Sequence, residues 1–119
     1  MADFEDVRRI ALSLPETAED EGKFAVAGKG FAWPWRERVD PKRARVTRFD
    51  IVALRTDGVG EKDALIASDG AKFFTEPHYD GYPAVLLRLD TLDVDELREL
   101  LTDAWRTKAP KRLVKEFDA

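Results

Sequence analysis

The sequence predicts a single α+β domain in which helices pack against a mostly antiparallel sheet. Apolar residues recur at helical spacing near both ends of the chain, and short β-branched or apolar runs separated by turns fill its middle. The predicted order is helix, three strands, helix, two strands, helix. With 119 residues, of which 44% are hydrophobic and 37% charged, the chain has the size of one globular domain spanning residues 1–119.

The first helix is predicted to start after Asp3, a capping residue, and to end at Pro15. Its apolar positions 4, 7, 10, 11 and 14 fall on one face. An acidic turn over residues 16–22 is predicted to follow.

A hairpin comes next, with strands over residues 24–27 and 31–33 joined by Gly28-Lys29-Gly30. Proline has no backbone N–H, so Pro34 predicts that the second strand ends there or lies at a sheet edge. The basic segment that follows, residues 36–48, is predicted to be a loop.

The second half of the chain contains the clearest elements. The closing helix has Asp93 and Glu96 spaced as a capping box and an apolar face that includes Trp105, and Pro110 is predicted to end or kink it. Between the basic segment and this helix, the pattern predicts a strand over residues 48–56, a helix over 61–67, and strands over 72–75 and 84–89.

Charge is distributed unevenly along the chain. The net charge is −4 overall, yet residues 36–48 carry six basic and two acidic side chains, a local charge of +4. Residues 105–117 carry five basic and one acidic side chain, again +4. Phosphate binding needs clustered Lys and Arg, so these two runs are the candidate nucleic-acid contacts. The alternative reading is a solvated surface balanced by acidic neighbours.

Residues 76–83 gather the only histidine, both tyrosines, two carboxylates and two prolines. His78 between two carboxylates could carry a proton or help to hold a metal. A lone histidine without cysteine or a second imidazole is nevertheless a weak metal signal, so a structural turn is the favoured interpretation.

Several classes of function find no support in the sequence. The absence of cysteine excludes disulfides and thiolate chemistry, and no nucleophile motif, cofactor motif or metal-ligand spacing is recognisable, so no catalytic residue is assigned. No apolar run approaches the length of a membrane helix, and the acidic N-terminus lacks the order of a secretory signal. A non-enzymatic cytoplasmic protein is expected.

Four segments carry a resemblance to a known family. They are the opening helix running into residues 11–17, the hairpin at residues 26–32, Pro77-His78-Tyr79, and the closing helix with Trp105. Through the order and spacing of these four segments, the chain resembles the MmcQ/YjbR-like family of small bacterial proteins. This resemblance implies a double-wing arrangement and a DNA-binding label, but no agreed contact residues. Residues 33–41 depart from typical members as an aromatic and basic insertion-like loop.

Two hypotheses about function follow. The first is a DNA-binding or regulatory domain, in which six phosphate contacts would give a log-log salt slope near roughly −5. The second is an adaptor that binds a protein or small ligand through an aromatic surface. Residues predicted to contact nucleic acid are Arg36, Arg38, Lys42, Arg43, Arg45, Arg48, Lys111 and Arg112. Residues predicted to contact a ligand or partner are Trp33, Trp35, His78, Tyr79 and Tyr82.

Overall fold

A computed structural model describes all residues 1–119 as four α-helices and one six-stranded sheet. The predicted α+β class is confirmed. The helices are α1 (Phe4–Ser13), α2 (Gly58–Ser68), α3 (Val94–Lys108) and α4 (Lys111–Asp118). The strands are β1 (Thr17–Asp20), β2 (Lys23–Val26), β3 (Lys29–Glu37), β4 (Val46–Arg55), β5 (Phe73–Phe74) and β6 (Ala84–Arg88).

The sheet has the strand order β1-β2-β3-β4-β6-β5, and every pair of neighbours is antiparallel. The short connections of the sequence thus predicted the pairing correctly for β2 with β3 and for β5 with β6. Strands β3 and β4 occupy the middle of the sheet and are its longest members.

The two faces of the sheet differ because successive side chains of a strand point to opposite sides. On the helical face, Val52 and Leu54 join the main core of 22 buried residues, which includes Trp105 of α3. On the other face, called the open face below, Ile51, Ala53 and Leu86 form a small separate cluster. Half-buried aromatic residues pack against that cluster: Trp33, Trp35, Phe74 and Tyr79.

Both predicted helix caps are present. The Asp3 side chain accepts a hydrogen bond from the Asp6 backbone N–H over 3.0 Å, and the Asp6 side chain accepts one from the Asp3 backbone N–H in return. Asp93 and Glu96 form the same reciprocal pair at the start of α3. Each box satisfies backbone donors that the first turn of a helix otherwise leaves unpaired.

One prediction about β-structure was wrong, and another was right only in part. The acidic turn predicted over residues 16–22 contains β1, whose four residues pair with β2 at the edge of the sheet. Pro34 does not end β3, which continues to Glu37; it pairs with Val52 of β4 and lies beyond Ala32, the last residue of β3 that pairs with β2, so β3 is an edge on that side at this position. The register shifts directly after Pro34, and such a bulge is a position where a strand tolerates proline.

The predicted basic loop and the end of the chain also need correction. Strand β3 continues to Glu37 and β4 begins at Val46, so only residues 38–45 connect them. The closing helix ends before Pro110, as predicted, but a further helix, α4, begins directly after this proline. At this position a missing backbone N–H breaks no helical hydrogen bond. Helix α4 buries Leu113 in the main core.

None of the four helices is both long enough and apolar enough to cross a membrane.

Candidate nucleic-acid and ligand interface

The hairpin of β3 and β4 extends beyond the rest of the sheet. Pairing of β2 with β3 reaches only Ala32, and pairing of β6 with β4 begins only at Ile51. Residues 35–37 of β3 therefore pair with residues 46–48 of β4 and with no other strand. Residues 35–48, called the basic ribbon below, form a two-stranded antiparallel ribbon that projects from one end of the sheet.

The cations of the basic ribbon are not equally free. Arg48 is held by two carboxylates, donating to Glu37 over 2.7 Å and to Asp50 over 2.8 Å. These hydrogen bonds raise the pKa of Arg48, and the bond to Asp50 has a larger effect than the bond to Glu37. The hydrogen bond with Arg48 in turn lowers the pKa of Asp50. Most of the capacity of Arg48 to bind a phosphate is thus already used.

The cations nearer the tip of the ribbon remain accessible. The side chain of Arg43 is 84% exposed and lies 3.6 Å from Asp40, a separation at which an exposed ion pair contributes little. Lys42 is exposed and its side chain has no ion-pair or hydrogen-bond partner. Arg38 donates to the backbone oxygens of Pro41 and Arg43, which holds the turn together.

A cleft of about 460 Å³, called the basic cleft below, lies at the base of the ribbon on the open face. Its cationic side chains come from three strand segments: Lys23 of β2, Arg36 of β3 and Arg45 beside β4. Arg45 donates to the backbone oxygen of Arg36 over 3.0 Å, which fixes its guanidinium. The other lining residues are Glu21, Trp33, Pro34, Thr47, His78 and Tyr79.

One wall of the basic cleft is a pair of hydrogen-bonded aromatic side chains. The indole N–H of Trp33 donates to the hydroxyl of Tyr79 over 3.0 Å. Burial raises the pKa of Tyr79, and the hydrogen bond from Trp33 opposes that rise. His78 packs edge-on against Tyr79 with ring centroids 5.8 Å apart. Trp33, His78 and Tyr79 also line an adjoining hollow of about 300 Å³ together with Tyr82.

Trp35 is separated from this wall. Its ring packs edge-on against Phe74 at 5.8 Å, its indole N–H is buried without a hydrogen-bond partner, and it lines neither the cleft nor the hollow. Of the predicted aromatic contacts, the structure therefore brings together Trp33, His78, Tyr79 and Tyr82.

Comparisons with known proteins identify the family of the chain. A family model described as YjbR matches residues 12–107. The chain belongs to the YjbR family. Uncharacterized proteins of Mycobacterium bovis (Mb2600) and Mycobacterium tuberculosis (Rv2570 and MT2646) are each 44% identical over 125 residues, covering 98% of this chain and 96% of the relative. No solved structure matches the chain significantly.

In this YjbR chain the two basic runs lie far apart. Arg112 of α4 forms an ion pair with Glu16, the residue before β1. Strand β1 begins with Thr17, which pairs with Val26 of β2, and Val26 pairs with Lys29, the first residue of β3. Arg112 therefore lies near the start of β3. The basic ribbon begins at residue 35, six residues further along β3, or roughly 20 Å at the rise of a strand. This separation exceeds a Debye length of about 8–10 Å, so the two runs do not act as one patch.

The loop of residues 76–83 is anchored by a residue that the sequence did not single out. Lys62 of α2 is 2% exposed, and its ammonium donates to the backbone oxygens of Tyr79 and, over 3.1 Å, of Tyr82. No sequence pattern distinguishes Lys62 from exposed lysines, because α2 has no marked apolar stripe. Lys23 was missed for a similar reason, since it lies more than 50 residues from His78 in the chain.

His78 has an exposed side chain without a hydrogen-bond partner, so the turn is not held by its imidazole. No group of three or more His, Asp or Glu side chains is arranged to hold a metal ion. What His78 contributes is one wall of the basic cleft.

Proposed function

We propose that this YjbR protein is a non-enzymatic cytoplasmic DNA-binding domain whose basic ribbon contacts phosphates. The observation that carries the proposal is the projection of residues 35–48 as a two-stranded ribbon without lateral partners. A two-stranded β-ribbon fits the major groove of B-DNA, and the β-ribbon class of DNA-binding proteins uses that geometry.

The charge of the ribbon supports the same function. Arg48 is neutralised by two carboxylates. The other five cations of the ribbon have at most one exposed ion-pair partner each, and they are Arg36, Arg38, Lys42, Arg43 and Arg45. Neutralising that many phosphates would give a log-log salt slope of roughly −4 to −5. Lys111 and Arg112 lie at the other end of β3 and would not contribute to the same short footprint.

The test is fluorescence anisotropy of labelled duplex DNA between roughly 50 and 200 mM salt. A Lys42→Ala/Arg43→Ala variant should bind more weakly, with a slope shallower by about 1.8, because two phosphate contacts are lost. The matched control is Lys111→Ala/Arg112→Ala, which removes the same charge from the other end and should leave the slope unchanged. Absence of salt-dependent binding, or equal losses in the two variants, would refute the proposal.

A second candidate function is ligand binding at the aromatic surface, favoured by the basic cleft and its adjoining hollow. Trp33 and Tyr79 belong to both cavities and are fixed to each other by a hydrogen bond. A fixed aromatic wall beside unpaired polar groups is typical of small-molecule sites. Binding of this kind should depend on Trp33, whereas DNA binding through the ribbon should depend on the cations at its tip, which do not line the cleft.

A further inference from the structure

We infer that the basic cleft binds a small phosphorylated ligand with a planar ring, of the size of a nucleoside monophosphate. The inference names the ligand class for the second candidate function and rests on it. The cleft shares Arg36 and Arg45 with the basic ribbon, but the tip cations Arg38, Lys42 and Arg43 are not part of it, so variants of the tip test DNA binding separately from ligand binding.

The charge of the cleft selects for an anion. Lys23, Arg36 and Arg45 face a single carboxylate, Glu21, so the lining has an excess of two positive charges. The side chains of Lys23 and Arg36 take part in none of the ion pairs or side-chain hydrogen bonds of the protein, and Arg45 uses only one of its donors, to the Arg36 backbone. Guanidinium groups with free donors and restricted orientation match the geometry of a phosphate group.

The aromatic wall of the basic cleft favours a ligand with a flat ring. Trp33 and Tyr79 hold each other through the indole–hydroxyl bond, and the backbone of Tyr79 is held by the buried Lys62. His78 and Tyr82 continue this wall into the adjoining hollow. A rigid aromatic surface loses little conformational entropy when a base or another planar ring stacks on it.

The dimensions fit a small molecule better than a polymer. A volume of about 460 Å³ lies within the range of roughly 300–1,000 Å³ that small-molecule sites occupy. The cleft ends at the base of the ribbon, and none of its lining residues lies between positions 37 and 44. The cations at the cleft and those at the tip therefore form two separable sets.

The experiment is a titration of the ¹⁵N-labelled full chain with adenosine monophosphate, followed by NMR. The chain has three tryptophans, and each indole N–H has a different environment: Trp33 in the cleft, Trp35 buried, and Trp105 bonded to the Pro15 backbone. We expect the Trp33 indole signal to move saturably and the Trp105 signal to stay fixed. A Trp33 signal that stays unchanged at millimolar ligand would overturn the inference.

Variants identify the groups that recognise the ligand. Lys23→Ala/Arg36→Ala should weaken binding by about tenfold or more, since two charge-assisted contacts are lost. The control is Lys29→Ala/Arg98→Ala, which removes two exposed cations outside the cleft and should bind like the unchanged protein. Equal affinity of the cleft variant and the control variant would rule out recognition of phosphate by Lys23 and Arg36.

Two further probes separate the two parts of the ligand. Adenosine alone and inorganic phosphate alone should each bind more weakly than the monophosphate. If adenosine moved the Trp33 signal as strongly as the monophosphate, the aromatic surface would still be a ligand site, but the phosphate assignment would fail. If the tip variant Lys42→Ala/Arg43→Ala lost DNA binding and kept the nucleotide, both proposals would stand independently.

Discussion

The ammonium group of Lys62 donates a hydrogen bond to the backbone oxygen of Tyr82 over 3.1 Å, although its residue is almost fully buried. The same group donates to the backbone oxygen of Tyr79. Burial lowers the pKa of Lys62, and the charges of Asp80, Asp63 and Glu76 act against that shift. A buried cation on α2 thus fixes the loop that forms one wall of the candidate ligand site.

Replacing Lys62 by methionine should destabilise the protein. Two backbone oxygens would lose their donor inside the protein, and each buried unpaired acceptor costs about 1–3 kcal/mol, partly offset because a desolvated charge is also removed. We expect a net loss of roughly 1–3 kcal/mol in the free energy of unfolding, measured by urea denaturation. The control is Lys29→Met, because Lys29 is exposed. Equal stability of the two variants would contradict the anchoring role.

The hydrogen bond between Trp33 and Tyr79 gives a second prediction. Tyr79→Phe removes the acceptor of the indole N–H and should lower the free energy of unfolding by about 0.5–1.5 kcal/mol. Tyr82→Phe is the matched control, since its exposed hydroxyl has no hydrogen-bond partner and its loss should have little effect. The shift of the Trp33 indole signal would provide an independent check. A larger loss for Tyr82→Phe than for Tyr79→Phe would contradict the geometry.

The sequence predicted the elements whose patterns are strong and local. The apolar spacing of α1 and α3, their capping boxes, and the β-branched run within β4 identified these elements with errors of only a few residues. Strand β1 was missed because Thr-Ala-Glu-Asp has no apolar alternation, and its place is set by pairing with β2. Strand β3 continues past Pro34 because no residue of β2 pairs with it there and because a bulge, which has no sequence signature here, follows it.

The candidate site was predictable only in part. Clusters of arginine and of aromatic residues are visible in the sequence, so Arg36, Arg45, Trp33, His78 and Tyr79 were all named as candidates. Their meeting in one cleft depends on the pairing of β2, β3 and β4 and on the folding of residues 76–83 over the open face. Lys23 and Lys62 acquire their roles only through these tertiary contacts.

Titration of Tyr79 provides a third prediction, because the chain has only two tyrosines. In a Tyr82→Phe variant the remaining phenol should ionise above its ordinary pKa of 10.0, since burial disfavours the phenolate. As the pH rises, the phenol of Tyr79 therefore loses its proton in the unfolded chain before it does so in the folded protein. The contribution of the buried neutral phenol to the stability of the folded state is complete below pH 10 and disappears as the pH rises through the raised pKa. The ultraviolet absorbance of tyrosinate, recorded against pH for the folded and the urea-unfolded variant, measures both values. Coincident titrations would show that Tyr79 is not buried.

The carboxylates at the base of the basic ribbon give the last prediction. Asp50 and Glu37 together neutralise Arg48, so Asp50→Asn should free part of this guanidinium for a phosphate. If the ribbon binds DNA, the variant should bind more tightly, and its log-log salt slope should become steeper by up to about 0.9.

Asp57→Asn is the control for this change, because Asp57 lies just beyond the opposite end of β4 and its replacement alters the net charge equally. Anisotropy titrations at several salt concentrations would compare the two variants. A general effect of net charge would strengthen binding in both variants to the same extent, whereas release of Arg48 would strengthen it only in Asp50→Asn. Asp57 is separated from residues 35–48 by most of the length of β4. Equal gains in affinity would therefore mean that DNA binding depends on the net charge of the whole molecule and not on the charge of the ribbon.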